Sequence, residues 1–175
     1  MPNDDLANDR ARARASRVSR AISTLALGIR YRLGHGGYEP NDPTPTRTGF
    51  ADCTGWLSWA LGIDRYQADK AKPWSKRVPW VESTLLVREA TRTDLEPGAK
   101  RLVRRIPGPV PGEVLAWPDR KVLGVRREGH AMLVYDVDGD RVTVLDCTSK
   151  LGPARRVVSL ASVTAKGGCA MEVSL

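Results

Sequence analysis

The chain has 175 residues, 41% hydrophobic and 27% charged, a mix that excludes a wholly disordered, collagen-like or disulfide-scaffold protein. At this length a chain buries most of what its unfolded form exposes and needs no metal or disulfide staple. The net charge of +8, from 28 Lys and Arg against 20 Asp and Glu, favours a polyanionic partner: nucleic acid, anionic lipid or anionic cell-wall polymer. No apolar run approaches the roughly eighteen residues of a membrane-spanning helix.

Residues 5–30 carry Val18, Ile22, Leu25 and Ile29 at helical spacing. Asp4 and Asp5 suit the positive end of the helix dipole. Arg10, Arg12, Arg14, Arg17 and Arg20 crowd the other faces, and the plain reading is a solvated face on an arm helix, with a nucleic-acid or wall-binding face as the rival. The N-terminus has no apolar core of a secretory signal. The expected location is therefore cytoplasmic, or outside the cell by a non-classical route or phage lysis.

Residues 33–51, rich in Gly, Pro, Asn and Asp, predict a long loop of the kind that rims clefts or simply varies. Residues 52–63 predict a helix with Asp52 as N-cap and Trp56, Ala60 and Ile63 as its apolar stripe. Gly55 weakens that helix, and close approach of another backbone would explain it. After an irregular, basic stretch over 64–79, a helix is predicted over 80–90, following Pro79. Residues 91–111 are a connection with a short strand near Leu102–Val103.

The last third is rich in strand signals. Val114–Trp117 is short and apolar, and Ala131–Val137 and Arg141–Cys147 flank Asp138-Gly139, a hairpin signal. Val157–Val163 and Cys169–Val173 supply further candidate strands. Helices first and strands later predict an α+β fold with helices packed on an antiparallel sheet.

Cysteine and histidine are scarce, so each is a candidate reactive group. Cys53, Cys147 and Cys169 lack C-x-x-C spacing, and His35 and His130 are the sole histidines. No closed zinc site and no cofactor are expected. Cys53 follows the N-cap, where unpaired backbone N–H groups and the helix dipole favour a thiolate and lower the thiol pKa. The competing reading is a small buried Cys.

His130 opens a β-rich run and is the candidate base for Cys53. A third group should orient its ring. Asp136, Asp138 and Asp140 lie along the same strand or at the turn, which leaves Asp146. A three-residue Val137-Asp138-Gly139 loop would set Asp146 directly opposite His130. A two-residue Asp138-Gly139 turn would put it on the other face. Asp146-Cys147-Thr148 repeats the local triplet Asp52-Cys53-Thr54, but no helix follows it. Cys147 and Cys169 therefore read as structural, and His35 as a surface residue.

Asp52-Cys53-Thr54-Gly55-Trp56 resembles the D-C-S/T-G-hydrophobic motif of NlpC/P60 cysteine peptidases. Pro111-Gly112-Glu113-Val114-Leu115-Ala116-Trp117 is similar to the family's P-G-D-L-V-x-F/W strand. Gly129-His130-Ala131 resembles its histidine strand, and Tyr31-Arg32-Leu33-Gly34 its upstream Y-x-x-G element. Order and rough spacing agree over about residues 22–150. The chain departs in a longer loop before Cys53, in Glu113 where Asp is commoner, and in Asp146 where the family most often has His.

The resemblance implies a papain-like α+β fold, with an arm over residues 1–21 and a hydrolase domain over 22–175. It implies Cys53 as nucleophile, His130 as base, Asp146 as orienting group, and Tyr31 and Thr54 lining the oxyanion or substrate region. The implied substrate is an amide, most often a peptidoglycan stem peptide. A delivery or immunity protein is a candidate partner, and nucleic acid is not an expected one. Rival readings are a polyanion-binding module gripping through the basic helix with Trp74 and Trp80, and an inactive scaffold of the same fold.

Overall fold

The computed structural model describes residues 3–36, 45–63, 65, 81–93 and 102–173. The first helix, α1 (Asn3–Ser23), stops short of residue 30. Thr24 ends it: its hydroxyl donates back to the Ala21 carbonyl at 2.7 Å and accepts the Trp56 Nε1–H at 2.9 Å. The arginines of α1 are not one solvated face. Arg17 is 4% exposed; it donates to Glu113 at 3.1 Å and to the Val173 carbonyl at 2.7 Å. Arg14 reaches the other Glu113 oxygen at 2.7 Å, and Arg20 donates to the Ala60 carbonyl at 3.0 Å. Arg10 and Arg12 do stay exposed. A buried carboxylate thus fastens α1 to the body, and the longer reach of Glu at position 113 serves that pairing. Gly112 must be glycine here: its φ is +82°, and a Cβ would lie 2.5 Å from that of Arg14.

The chain then forms β1 (Arg30–Tyr31), a single turn α2 (Pro45–Thr48) and β2 (Phe50–Ala51), with β1 and β2 paired in parallel. The predicted central helix is α3 (Cys53–Leu61). Asp52 caps it, accepting the Gly55 N–H at 2.7 Å, and Gly62 closes it in the left-handed conformation. Gly55 does mark a close approach: a Cβ there would stand 2.1 Å from the His35 carbonyl oxygen. Helix α4 (Ser83–Thr91) follows. The basic stretch with Trp74, Pro79 and Trp80 lies outside the described residues.

The remaining elements are β3 (Val103–Arg105), β4 (Val114–Trp117), β5 (Arg120–Val122), β6 (Val125–Arg127), β7 (His130–Asp138), β8 (Arg141–Thr148), β9 (Gly152–Ser159), α5 (Leu160–Ala165) and β10 (Cys169–Val173). Six strands form one antiparallel sheet in the order β3-β10-β4-β7-β8-β9. The fold is α+β, as the sequence predicts. One face carries Val114, Ala131, Leu133, Leu145 and Met171 beneath Trp56, Leu57 and Leu86 of the helices. The other carries Leu115, Met132, Val134 and Val144 against Val163 of α5.

Two local readings change. The run Val157–Val163 divides: strand β9 starts at Gly152, and residues 160–165 are helical. Ser159 accepts the Ser162 N–H and caps that helix, a signal hidden among β-branched residues. Pro153 does not break β9, because β9 is the sheet's edge and proline is tolerated there. The second change is a small β5–β6 hairpin that departs from the main sheet between β4 and β7.

The β7–β8 hairpin takes neither predicted turn. Asp138 pairs with Arg141, so Gly139-Asp140 forms the loop, and the register shifts between Val134 and Asp136. Tyr135 is the extra residue of a β-bulge. Without that bulge, Asp146 would share a face with Leu133. With it, Leu133 pairs with Leu145, and Asp146 shares a face with Met132 and His130. His130 is then diagonal to Asp146 and not directly opposite, still within reach of an imidazole and a carboxylate.

Candidate active site

His130 opens β7 beside Trp117 of β4, its cross-strand partner, and the two rings lie 5.3 Å apart. Its Nε2 is 2.6 Å from Asp146 Oδ2. That bond leaves Nδ1 as the ring nitrogen available to a reacting group. Asp146 is fully buried, and Arg156 of β9 donates to the same Oδ2 through Nε at 2.8 Å and through Nη2. Asp146 Oδ1 has no hydrogen-bond partner among the described residues. Burial acts to raise the Asp146 carboxyl, but the bonds from His130 and Arg156 outweigh it and hold the group below the ordinary carboxylate range.

Cys53 approaches from the other face. Helix α3 packs on the side of Ala131 and Leu133, while His130 shares the side of Met132. Both line one open cleft of about 420 Å³ at the end of β7, with Tyr31, Trp117, Arg156 and Lys166. The backbone N–H groups of Ala131 and Thr54 act to lower the Cys53 thiol. The sequence predicts a depressed thiol; the structure reverses the sign. Burial, with the neighbouring Asp52 charge, pushes Cys53 up to about 12 and outweighs the helix N-terminus. The resting group is the thiol. Burial likewise pushes Tyr31 up to about 12, so its phenol stays a hydrogen-bond donor.

Thr54 is not at the cleft. Its hydroxyl donates to Asp52 Oδ1 at 3.1 Å and accepts Arg65 Nη2 at 2.9 Å, while Arg65 also binds Asp52 Oδ2 at 2.8 Å. This buried cluster braces the start of α3. Cys147 and Cys169 are buried, and Cys147 donates to the Ala51 carbonyl at 3.4 Å. His35 is half-buried, with its carbonyl accepting the Asp52 N–H at 2.9 Å. Among the described residues no group of three His, Cys, Asp or Glu side chains could hold a metal ion, and no helix is long and apolar enough to cross a membrane.

Sequence reasoning misses Arg156 and Lys166. A strand begun at Val157 leaves Arg156 outside the sheet, although strand alternation from Ala154 would have put it on the Asp146 face. Lys166 follows α5, the helix read as strand, and sets its Nζ 4.1 Å from the Trp117 ring centre. With Lys150 it makes the cleft wall predominantly cationic, against Glu128.

No protein-family model matches the chain, and no curated protein matches it. Among solved structures it is similar to the crystal structure of Ly7917 with the hydrolyzing product of MDP: TM-score 0.52, 16% identity, 91% of this chain. The likeness is one of fold, and the chain spans 62% of the length of that solved chain.

Proposed function

We propose that this protein is a papain-like cysteine hydrolase of NlpC/P60 type that cleaves amide bonds, with peptidoglycan stem peptides as substrate. The observation that carries the reading is the 2.6 Å bond from His130 Nε2 to buried Asp146, in a cleft that Cys53 also lines. Two lines of support concern the substrate. The structure similar in fold holds the hydrolyzing product of MDP, a peptidoglycan fragment. The cationic wall of Lys150, Arg156 and Lys166 suits a peptide rich in carboxylates.

Cys53 starts as a thiol, so His130 takes its proton as the sulfur attacks the substrate carbonyl. Asp146 holds the ring through Nε2 and offsets its new charge. The Tyr31 phenol, which lines the cleft, is a donor available to the developing oxyanion. His130 then protonates the leaving amine, the C–N bond breaks, and a thioester remains. Water, giving its proton to His130, cleaves the thioester to a carboxylate and restores the thiol. Residues 1–21 form the basic arm of the same proposal, fastened through Glu113.

The test is digestion of purified peptidoglycan with mass analysis of the soluble fragments. We expect each cut to leave one new amine and one new carboxyl, with no new reducing sugar, and Cys53→Ser to release nothing. Equal release by Cys53→Ser, or cuts confined to the glycan, would overturn the proposal.

A further inference from the structure

The β5–β6 hairpin keeps three features that cost stability. First, its cross-strand pairs are Arg120 with Arg127 and Lys121 with Arg126, like charges directly opposite. Second, its tip is apolar and bare: Leu123 is 99% exposed, Val125 55% and Val122 39%. Third, Leu123 has φ +50°, the one non-glycine with positive φ among the described residues. With Gly124 at φ +80° the turn has the sign pattern of type I′, where Asn or Gly is the favoured first residue. A leucine there is poorly placed for both backbone and solvent.

The arrangement is by height and not by side. The apolar residues occupy the tip, and the four cations form a collar below them on both faces of the hairpin. At the base, Asp119 binds Arg126 and the Gly129 N–H, and Arg120 donates to the Ala165 carbonyl at 3.0 Å. Lys121 and Arg127 are exposed and point their charge to solvent. A protein groove would read one side of a hairpin. A tip surrounded by charge fits a flat surface with an apolar interior and anionic headgroups. A polyanion without an apolar layer would leave the tip unexplained.

We propose that this hairpin docks the protein on anionic lipid bilayers, the tip entering the headgroup–acyl boundary and the collar pairing with lipid phosphates. The hairpin lies between Trp117 and His130, so docking brings the cleft close to the membrane surface. The proposal is independent of the reaction assigned to the cleft.

The experiment is co-sedimentation of the full chain with vesicles of pure phosphatidylcholine and of phosphatidylcholine with phosphatidylglycerol, across a salt series. Binding is expected to the anionic vesicles only, weakening with salt. Leu123→Asn suits the left-handed turn, and should leave the melting temperature unchanged or raised while weakening binding by roughly tenfold or more, the effect of keeping one leucine in water. Lys121→Gln with Arg127→Gln should flatten the salt dependence. No binding by the wild type at low salt would overturn the proposal, and so would unchanged binding by Leu123→Asn. An acidic protein bound through Leu123, in place of vesicles, would overturn it too.

Discussion

One oxygen of Asp146 receives both His130 and Arg156, and that sharing sets what the residue can do. Arg156 keeps the carboxylate charged and fixes its direction, so Asp146 can hold His130 without wandering. Arg156→Gln should let the Asp146 carboxyl titrate higher. Its charge would then be lost earlier on acidification, and the acid limb of the activity profile should move to higher pH. A fall in kcat of about 10-fold to 100-fold is expected from the loosened ring, with KM changed less and Arg156→Lys partly restoring both. An unmoved acid limb would place Arg156 in structure alone. The raised Cys53 thiol has its own signature. Alkylation by iodoacetamide in the free protein should be slow at neutral pH and rise steadily toward about 12. A fast plateau below pH 8 would instead indicate a standing thiolate–imidazolium pair.

At the level of elements, α3 depends on the gap at Gly55. The Cβ of Gly55→Ala would meet the His35 and Gly36 carbonyl oxygens, neither of which can swing away as a side chain does. We expect a loss of about 1–3 kcal/mol in urea unfolding, with the N-terminus of α3 displaced and peptidoglycan cleavage reduced further than stability alone explains. A neutral Gly55→Ala would mean that the segment before α3 yields freely. This helix was legible from sequence because its punctuation is local: Asp52, the glycines and the apolar stripe all lie within it. Strand β9 was not, because what lets Pro153 stand there is its place at the sheet edge, which no local window contains. The pairing of His130 with Asp146 was legible in its residues, while its register was not: loop and bulge each move the count, and together they preserve the face.

For the whole molecule, four acids are pushed up by burial, Cys169 among them. Cys53 and Cys147 are pushed up from 9.0 to about 12, and Tyr31 from 10.0 to about 12. Between those limits the unfolded chain releases protons that the folded chain keeps, so stability falls as pH rises through that window. Melting temperatures measured from about pH 8 to about pH 11 should drop, and the slope should be shallower in Cys147→Ala. Identical slopes would remove Cys147 from the account. Length and composition set the size and the charge, and the order of helix and strand signals set the α+β class. None of these hints that Arg17, one of a run of surface-like arginines, closes the molecule by joining α1 to Glu113 and the Val173 carbonyl.

The bulge at Tyr135 also limits how this hairpin can vary in length. Side chains alternate along a strand, so the paired stretches of β7 and β8 between His130 and Asp146 obey a parity rule. A residue added to the loop is absorbed there, but one added to or deleted from a paired stretch turns the two groups to opposite faces, unless a second change restores the count. Variants that keep the pair should therefore differ by even numbers of residues within the paired stretches, and by any number in the loop.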